Sequence, residues 1–302
     1  MNLTARRISY IFLCTLPFLF LVVGGVRALR IPGVYQGIGG GLFAVTLIAA
    51  WMLGARVIAS GAAGGRRLAL AGALLVVPFA VISLLWVGIG APFQATPTEN
   101  HMRFLVLLAN SIVVAGAFVA LKEALSDAGE RFYSTLGFAA SIPAGMAYLV
   151  CISMSVASSV VGLPDKEASS AGLLRELYSV LEFVACVLTY IATAAFAASL
   201  GQARWLGRGS ARAYVTASFV LLLLLVMRGV SYPAVSIDTT PWYTRPGVIA
   251  GIPAIPWIMP FLLGVALLRL HLAGSGAGPL DAIGAALRAA RSSMPLSPWP
   301  GR

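Results

Sequence analysis

Charged side chains make up only 10% of this 302-residue chain, against about a quarter in a soluble domain. That shortage excludes an ordinary solvated surface. Histidine is nearly absent, and the two present, His101 and His271, fall on opposite sides of the expected membrane, so they cannot jointly hold a haem or a metal. The three cysteines, Cys14, Cys151 and Cys186, have no CxxC spacing. They read as three buried free thiols, with neither a disulfide framework nor a zinc site. Acid/base pairs and His/Asp clusters are missing at any helical spacing, which argues against an intramembrane enzyme. No cofactor motif is present either. The glycines from Gly33 to Gly41 lack the Lys-Ser/Thr ending of a phosphate loop. Gly37 and Gly41 instead have the small-xxx-small spacing that lets membrane helices approach closely.

What the chain has in abundance is apolar length. Hydrophobic residues reach 59% and the mean hydropathy is +0.91. Apolar runs of about twenty residues cross a hydrocarbon core roughly 30 Å thick, and a helix satisfies its own backbone there. Strand alternation is absent. The expected fold is therefore all-α: a polytopic membrane bundle of about eight helices near 8–29, 36–59, 67–90, 102–121, 134–162, 173–200, 211–232 and 247–271. Residues 1–272 form one transmembrane domain without a visible internal repeat. Residues 273–302 form a tail, read either as a short amphipathic helix carrying Leu280, Ile283 and Leu287 or as disordered chain. Arg6 and Arg7 before the first run resemble a signal peptide, but the run from Ile8 to Val26 exceeds a signal core, so a retained helix is expected.

Orientation follows from the connections. With the N-terminus cytoplasmic, fourteen of the 21 basic residues lie inside, among them Arg6, Arg7, Arg66, Arg67, Arg204 and Arg208. Seven lie outside, leaving net charges of +10 inside and +1 outside. This two-to-one bias predicts both termini in the cytoplasm of a bacterial-type cytoplasmic membrane. It explains the overall +11 as a topology signal; no basic run with interleaved aromatics points to nucleic acid. The most charged stretch, Lys122 to Arg131, reads as a solvated cytoplasmic extension.

The most informative segment is Leu173 to Leu200. Ser179, Glu182, Cys186, Thr189 and Thr193 recur at three- and four-residue spacing, one polar stripe on an oily rod. Such a stripe faces protein or water. Glu182, a carboxylate deep in the span, needs a partner. Arg228 on the next helix is the first candidate and Arg175, seven residues earlier, the second. Either Glu182 and Arg228 form a structural ion pair, or Glu182 lines an outward-open cavity and binds a cation or proton. Asn110, seven residues below Arg103, reads as a cross-helix hydrogen bonder and, alternatively, a ligand contact. Thr189 and Tyr232 complete the candidate set. Pro253, Pro256 and Pro260 should kink or unwind the eighth helix in its outer half.

Two functions from different classes follow. One is a small transporter or permease for a solute or ion, with Glu182, Arg228 and Asn110 around an outward-facing cavity and the proline-rich helix as its wall. The other is a non-catalytic scaffold, sensor or complex subunit in which the same residues only pack helices.

Overall fold

A computed structural model describes residues 3–25, 32–60, 63–85, 95–161, 168–229 and 255–273, with the side chains of Arg175 and Arg228 outside the described set. Every regular element among them is helical: α1 (Leu3–Gly25), α2 (Pro32–Ala50), α3 (Val57–Ser60), α4 (Ala63–Ser83), α5 (Pro97–Asp127), α6 (Phe132–Val161), α7 (Ala168–Gln202), α8 (Arg208–Arg228) and α9 (Ile255–Ala273). Six helical stretches are long and apolar enough to cross a membrane: Gln36–Ala55, Gly65–Ile82, Pro97–Asp127, Phe132–Ala157, Glu176–Gln202 and Arg208–Met227. The protein is thus a multi-pass helical membrane protein. Its outward faces carry residues such as Ile112, Met146, Leu223 and Met227, each more than half exposed, a surface suited to lipid rather than water.

The helix ends are written locally. Thr96-Pro97-Thr98-Glu99 is a capping box with proline at the first helical position. The Glu99 amide donates to Thr96 Oγ1 at 3.3 Å and the Thr96 amide to Glu99 Oε2 at 2.7 Å. It starts α5 five residues before the span expected at 102. At the other end Gly129, at φ 87°, sits where a helix stop needs the left-handed conformation, and the Glu130 amide closes back onto the Leu125 carbonyl at 3.1 Å. The stop after α7 has the same bonding, with the Trp205 amide on the Leu200 carbonyl at 3.0 Å. Here the left-handed residue is Arg204, at φ 57°, a conformation that costs an L-residue with a side chain roughly 1 kcal/mol.

Glu130 departs from the solvated role expected for its stretch. It accepts hydrogen bonds from the amides of Tyr133 (2.9 Å) and Ser134 (3.0 Å), capping α6, and from the Ser199 hydroxyl of α7. Partial burial pushes its carboxyl up, but the bonds from Ser199, Tyr133 and Ser134 outweigh this and hold it below the usual carboxylate range. Arg67 and Asp127, 2.5 Å apart and both about half exposed, join the neighbouring ends of α4 and α5.

α9 runs through the middle of the bundle. Phe261, Leu263, Val265, Leu267 and Leu268 are fully buried, so as far as Leu268 the helix is apolar all round, as a core helix must be. Its neighbours come close because glycine lets them. A Cβ on Gly264 would lie 2.7 Å from Leu75 Cβ and 2.8 Å from the Gly72 carbonyl, and one on Gly54 would collide with the Leu268 carbonyl. Gly54 lies in a π-turn, Trp51–Ala55, that breaks the second span between α2 and α3. On the far side, α5, α6, α7 and α8 pack in succession. Phe118 of α5 stacks on Phe196 of α7 with centroids 5.1 Å apart.

Pro256 falls in the first turn of α9, where its missing N–H costs nothing. The helix continues through Pro260. Pro253 and the expected break before it lie outside the described residues.

Candidate functional site in the bundle interior

Two polar faces meet inside the bundle. On α7 the predicted stripe points inward: Cys186, Thr189 and Thr193 are buried and Glu182 is half-buried, while Leu173, Leu177 and Val184 on the other faces are exposed. On α5 the buried polar residues are Arg103, Asn110 and Ser111. Between them, α6 contributes Tyr148, whose hydroxyl lies 3.7 Å from Cys186 Sγ and whose ring meets Trp257 of α9 edge-on at 5.7 Å.

These elements surround a small cavity of about 20 Å³. That is room for roughly one water molecule. Its walls include Pro78 (α4), Ser111 (α5), Ser141 and Tyr148 (α6), Thr189 (α7), and Trp257 and Pro260 (α9). Three of the four hydroxyls spend their protons on their own helices: Ser111 on Leu107 (3.1 Å), Ser141 on Phe138 (2.9 Å) and Thr189 on Ala185 (2.7 Å). A hydroxyl that donates backward keeps two oxygen lone pairs for other partners. Most of the remaining wall is apolar, Leu75, Phe79, Val114 and Phe118 among it, so the polarity of the cavity rests on these few hydroxyl oxygens, which accept rather than donate.

The predicted residues divide. Thr189 lines the cavity. Asn110 is buried and donates to the Pro78 carbonyl at 3.2 Å, tying α5 to α4 as a cross-helix bonder would. Glu182 lies seven residues from Thr189, about 10 Å along the helix axis, close enough to Cys151 and Tyr178 to act on them electrostatically. α7 and α8 are adjacent, with Gly201 packed so closely on Ala211 that a Cβ would sit 2.8 Å from its methyl. The side chains of Arg228 and Arg175 lie outside the described residues, as does Tyr232, so the expected ion pair does too.

Arg103, near the outer end of its span, is 1% exposed and donates to Asn100 Oδ1 at 2.6 Å. The available signal was its seven-residue spacing from Asn110, which puts both on the inward face of α5. Tyr148, Ser111, Ser141 and Trp257 were not anticipated as cavity residues, because nothing in a linear sequence joins one residue from each of several helices. Among the described residues no group of three or more His, Cys, Asp or Glu side chains could hold a metal. No protein-family profile, curated protein or solved structure matches this chain.

Proposed function

We propose that the protein is a small transporter or permease of eight spans, both termini cytoplasmic, in a bacterial-type cytoplasmic membrane. Its cargo is a cation or a small donor-bearing solute. Glu182 stands on the outer approach and the small cavity at Thr189 is the occluded station. The observation that carries this reading is the cavity itself, where back-bonded hydroxyls of α5, α6 and α7 turn oxygen lone pairs into a small, otherwise apolar space. The first and last helices and the inside-positive charge bias support the span count and orientation. The reading contains no catalytic step.

The test uses protein with Cys14, Cys151 and Cys186 replaced by serine and a single cysteine at position 182 or 189, reconstituted in vesicles. Membrane-impermeant thiol reagents should label position 182 readily and position 189 slowly, with cation or proton flux lost in Glu182→Gln at unchanged melting temperature. Position 189 inert over hours, together with no flux for any cation tested, overturns transport.

A second reading, a non-catalytic scaffold, sensor or complex subunit, is favoured by one observation. The hydroxyls of Thr189 and Thr193 and the Asn110 amide all have protein partners, as packing residues would. An inert position 189 is its expected result.

A further inference from the structure

A second cavity opens where the ends of α1, α9 and the α7–α8 turn come together. It holds about 610 Å³. Arg6, Arg7 and Arg269 line it with Tyr10, Trp205 and Ser210, and among the described residues no acidic side chain does. Arg269 is fixed by its guanidinium lying 4.4 Å over the Tyr10 ring. Arg6 Nε is buried and has no hydrogen-bond partner among the described residues, so one donor of a charged group is withdrawn from water with nothing there to receive it. The wall also includes Gly207, the N-cap of α8, which offers no side chain to the first amides of that helix. Those amides and the positive end of the helix add to the field of the guanidiniums.

Three guanidiniums, an orphaned N–H and an uncapped helix start, with no neutralising acid among the described residues, suit an anion with several acceptor oxygens. Phosphate fits best, because its oxygens take the paired donors of arginine at several angles. The remaining wall is apolar, built by Ile11, Leu53, Ala266 and Leu270. A polar rim over an apolar wall at the end of a membrane bundle matches an amphiphile.

We propose that this cavity is a binding site for a phosphate group, supplied by the headgroup of an anionic phospholipid lying against the apolar wall. The inference is independent of the transport reading, since it concerns a different cavity and different residues.

The experiment compares the full-length protein in nanodiscs of phosphatidylcholine alone and with added phosphatidylglycerol, read by melting temperature and by native mass spectrometry of retained lipid. Phosphatidylglycerol should raise the melting temperature and remain bound. Arg6→Gln with Arg269→Gln should weaken retention about tenfold. Arg204→Gln with Arg208→Gln, which removes equal charge from an adjacent arginine-lined cavity, should change it less than threefold. Equal losses in both pairs overturn the proposal in favour of a diffuse basic surface. Should the first pair fail to fold, a photoactivatable phosphatidylglycerol on the unaltered protein decides: cross-links within 6–11 and 205–214 uphold the site, and cross-links only elsewhere overturn it. Millimolar inorganic phosphate or glycerol phosphate displacing the lipid would identify a site that also takes soluble phosphate. No displacement assigns it to the lipid.

Discussion

The cavity at Thr189 and the one beside Arg269 differ in size, about 20 against 610 Å³, and oppositely in chemistry. The small one offers lone pairs and the large one guanidiniums. The difference follows from access to water. Taking an unpaired guanidinium fully into a bundle costs several kcal/mol, whereas a hydroxyl that donates to its own helix enters at little cost. Charge therefore gathers at the end of the bundle, and the middle is left with polarity that needs no counter-ion. Arg103 is instructive beside both. It is as enclosed as any core leucine, and it lies near the start of α5, where it donates to Asn100 and feels the charge of Glu99.

Several measurements would break or sharpen this contrast. The largest effect should come from Gly264→Val, which drives a branched side chain into Leu75 and the Gly72 carbonyl. Backbone cannot yield as a side-chain tip does, so a loss of about 3 kcal/mol is expected in a denaturation series. If the loss is under 1 kcal/mol, α9 is not held as tightly as described. Next, Arg6→Gln alone should cost several-fold in phosphatidylglycerol retention and leave thiol labelling at position 189 unchanged. Coupled changes would mean that the two cavities are not separate.

Glu130→Ala should lower stability by about 1 kcal/mol through loss of the α6 cap. Because the folded carboxyl titrates below its ordinary value, its contribution is complete above the unfolded pKa and fades as the pH falls through the folded one. Below pH 4.5 the wild type should therefore lose stability faster than Glu130→Gln, as read by melting temperature against pH. Parallel curves would remove Glu130 from that role. Gly145→Ala makes a smaller change in the other direction. The added methyl meets only Ala115 Cβ, at 3.9 Å, beside the small cavity. It should raise stability by about 0.5–1 kcal/mol while slowing flux. Faster flux would count against the cavity as a station. The smallest effect belongs to Arg67→Ala, whose exposed bridge to Asp127 should be worth less than about 0.5 kcal/mol.

Much of the architecture is legible in the sequence, for a simple reason. Bilayer thickness fixes the length of an apolar run, so each of the eight segments read from hydropathy overlaps a described helix, and six helical stretches are long and apolar enough to cross a membrane. The inward turn of the α7 stripe was equally legible, since a helix repeat fixes which residues share a face. What periodicity cannot supply is the partner across that face. Arg103 and Asn110 were placed on one side of α5, but whether that side meets Pro78 or lipid depends on how α4 packs. The phosphate cavity draws on residues as far apart as Arg6 and Arg269, joined only by the folded bundle. The cap at Glu130 and the capping box at Thr96 are different. Both are local, and the Thr-Pro-Thr-Glu motif is legible in the sequence as a helix start.

The glycines facing α9 have one more consequence. Clamped backbone to backbone against the second span at Gly54 and against α4 at Gly264, this helix acts as a spindle rather than a lever, unable to twist or tilt without carrying both neighbours along. Any motion that widens the bundle's centre is then easier on the opposite wall, where side chains and not backbones meet.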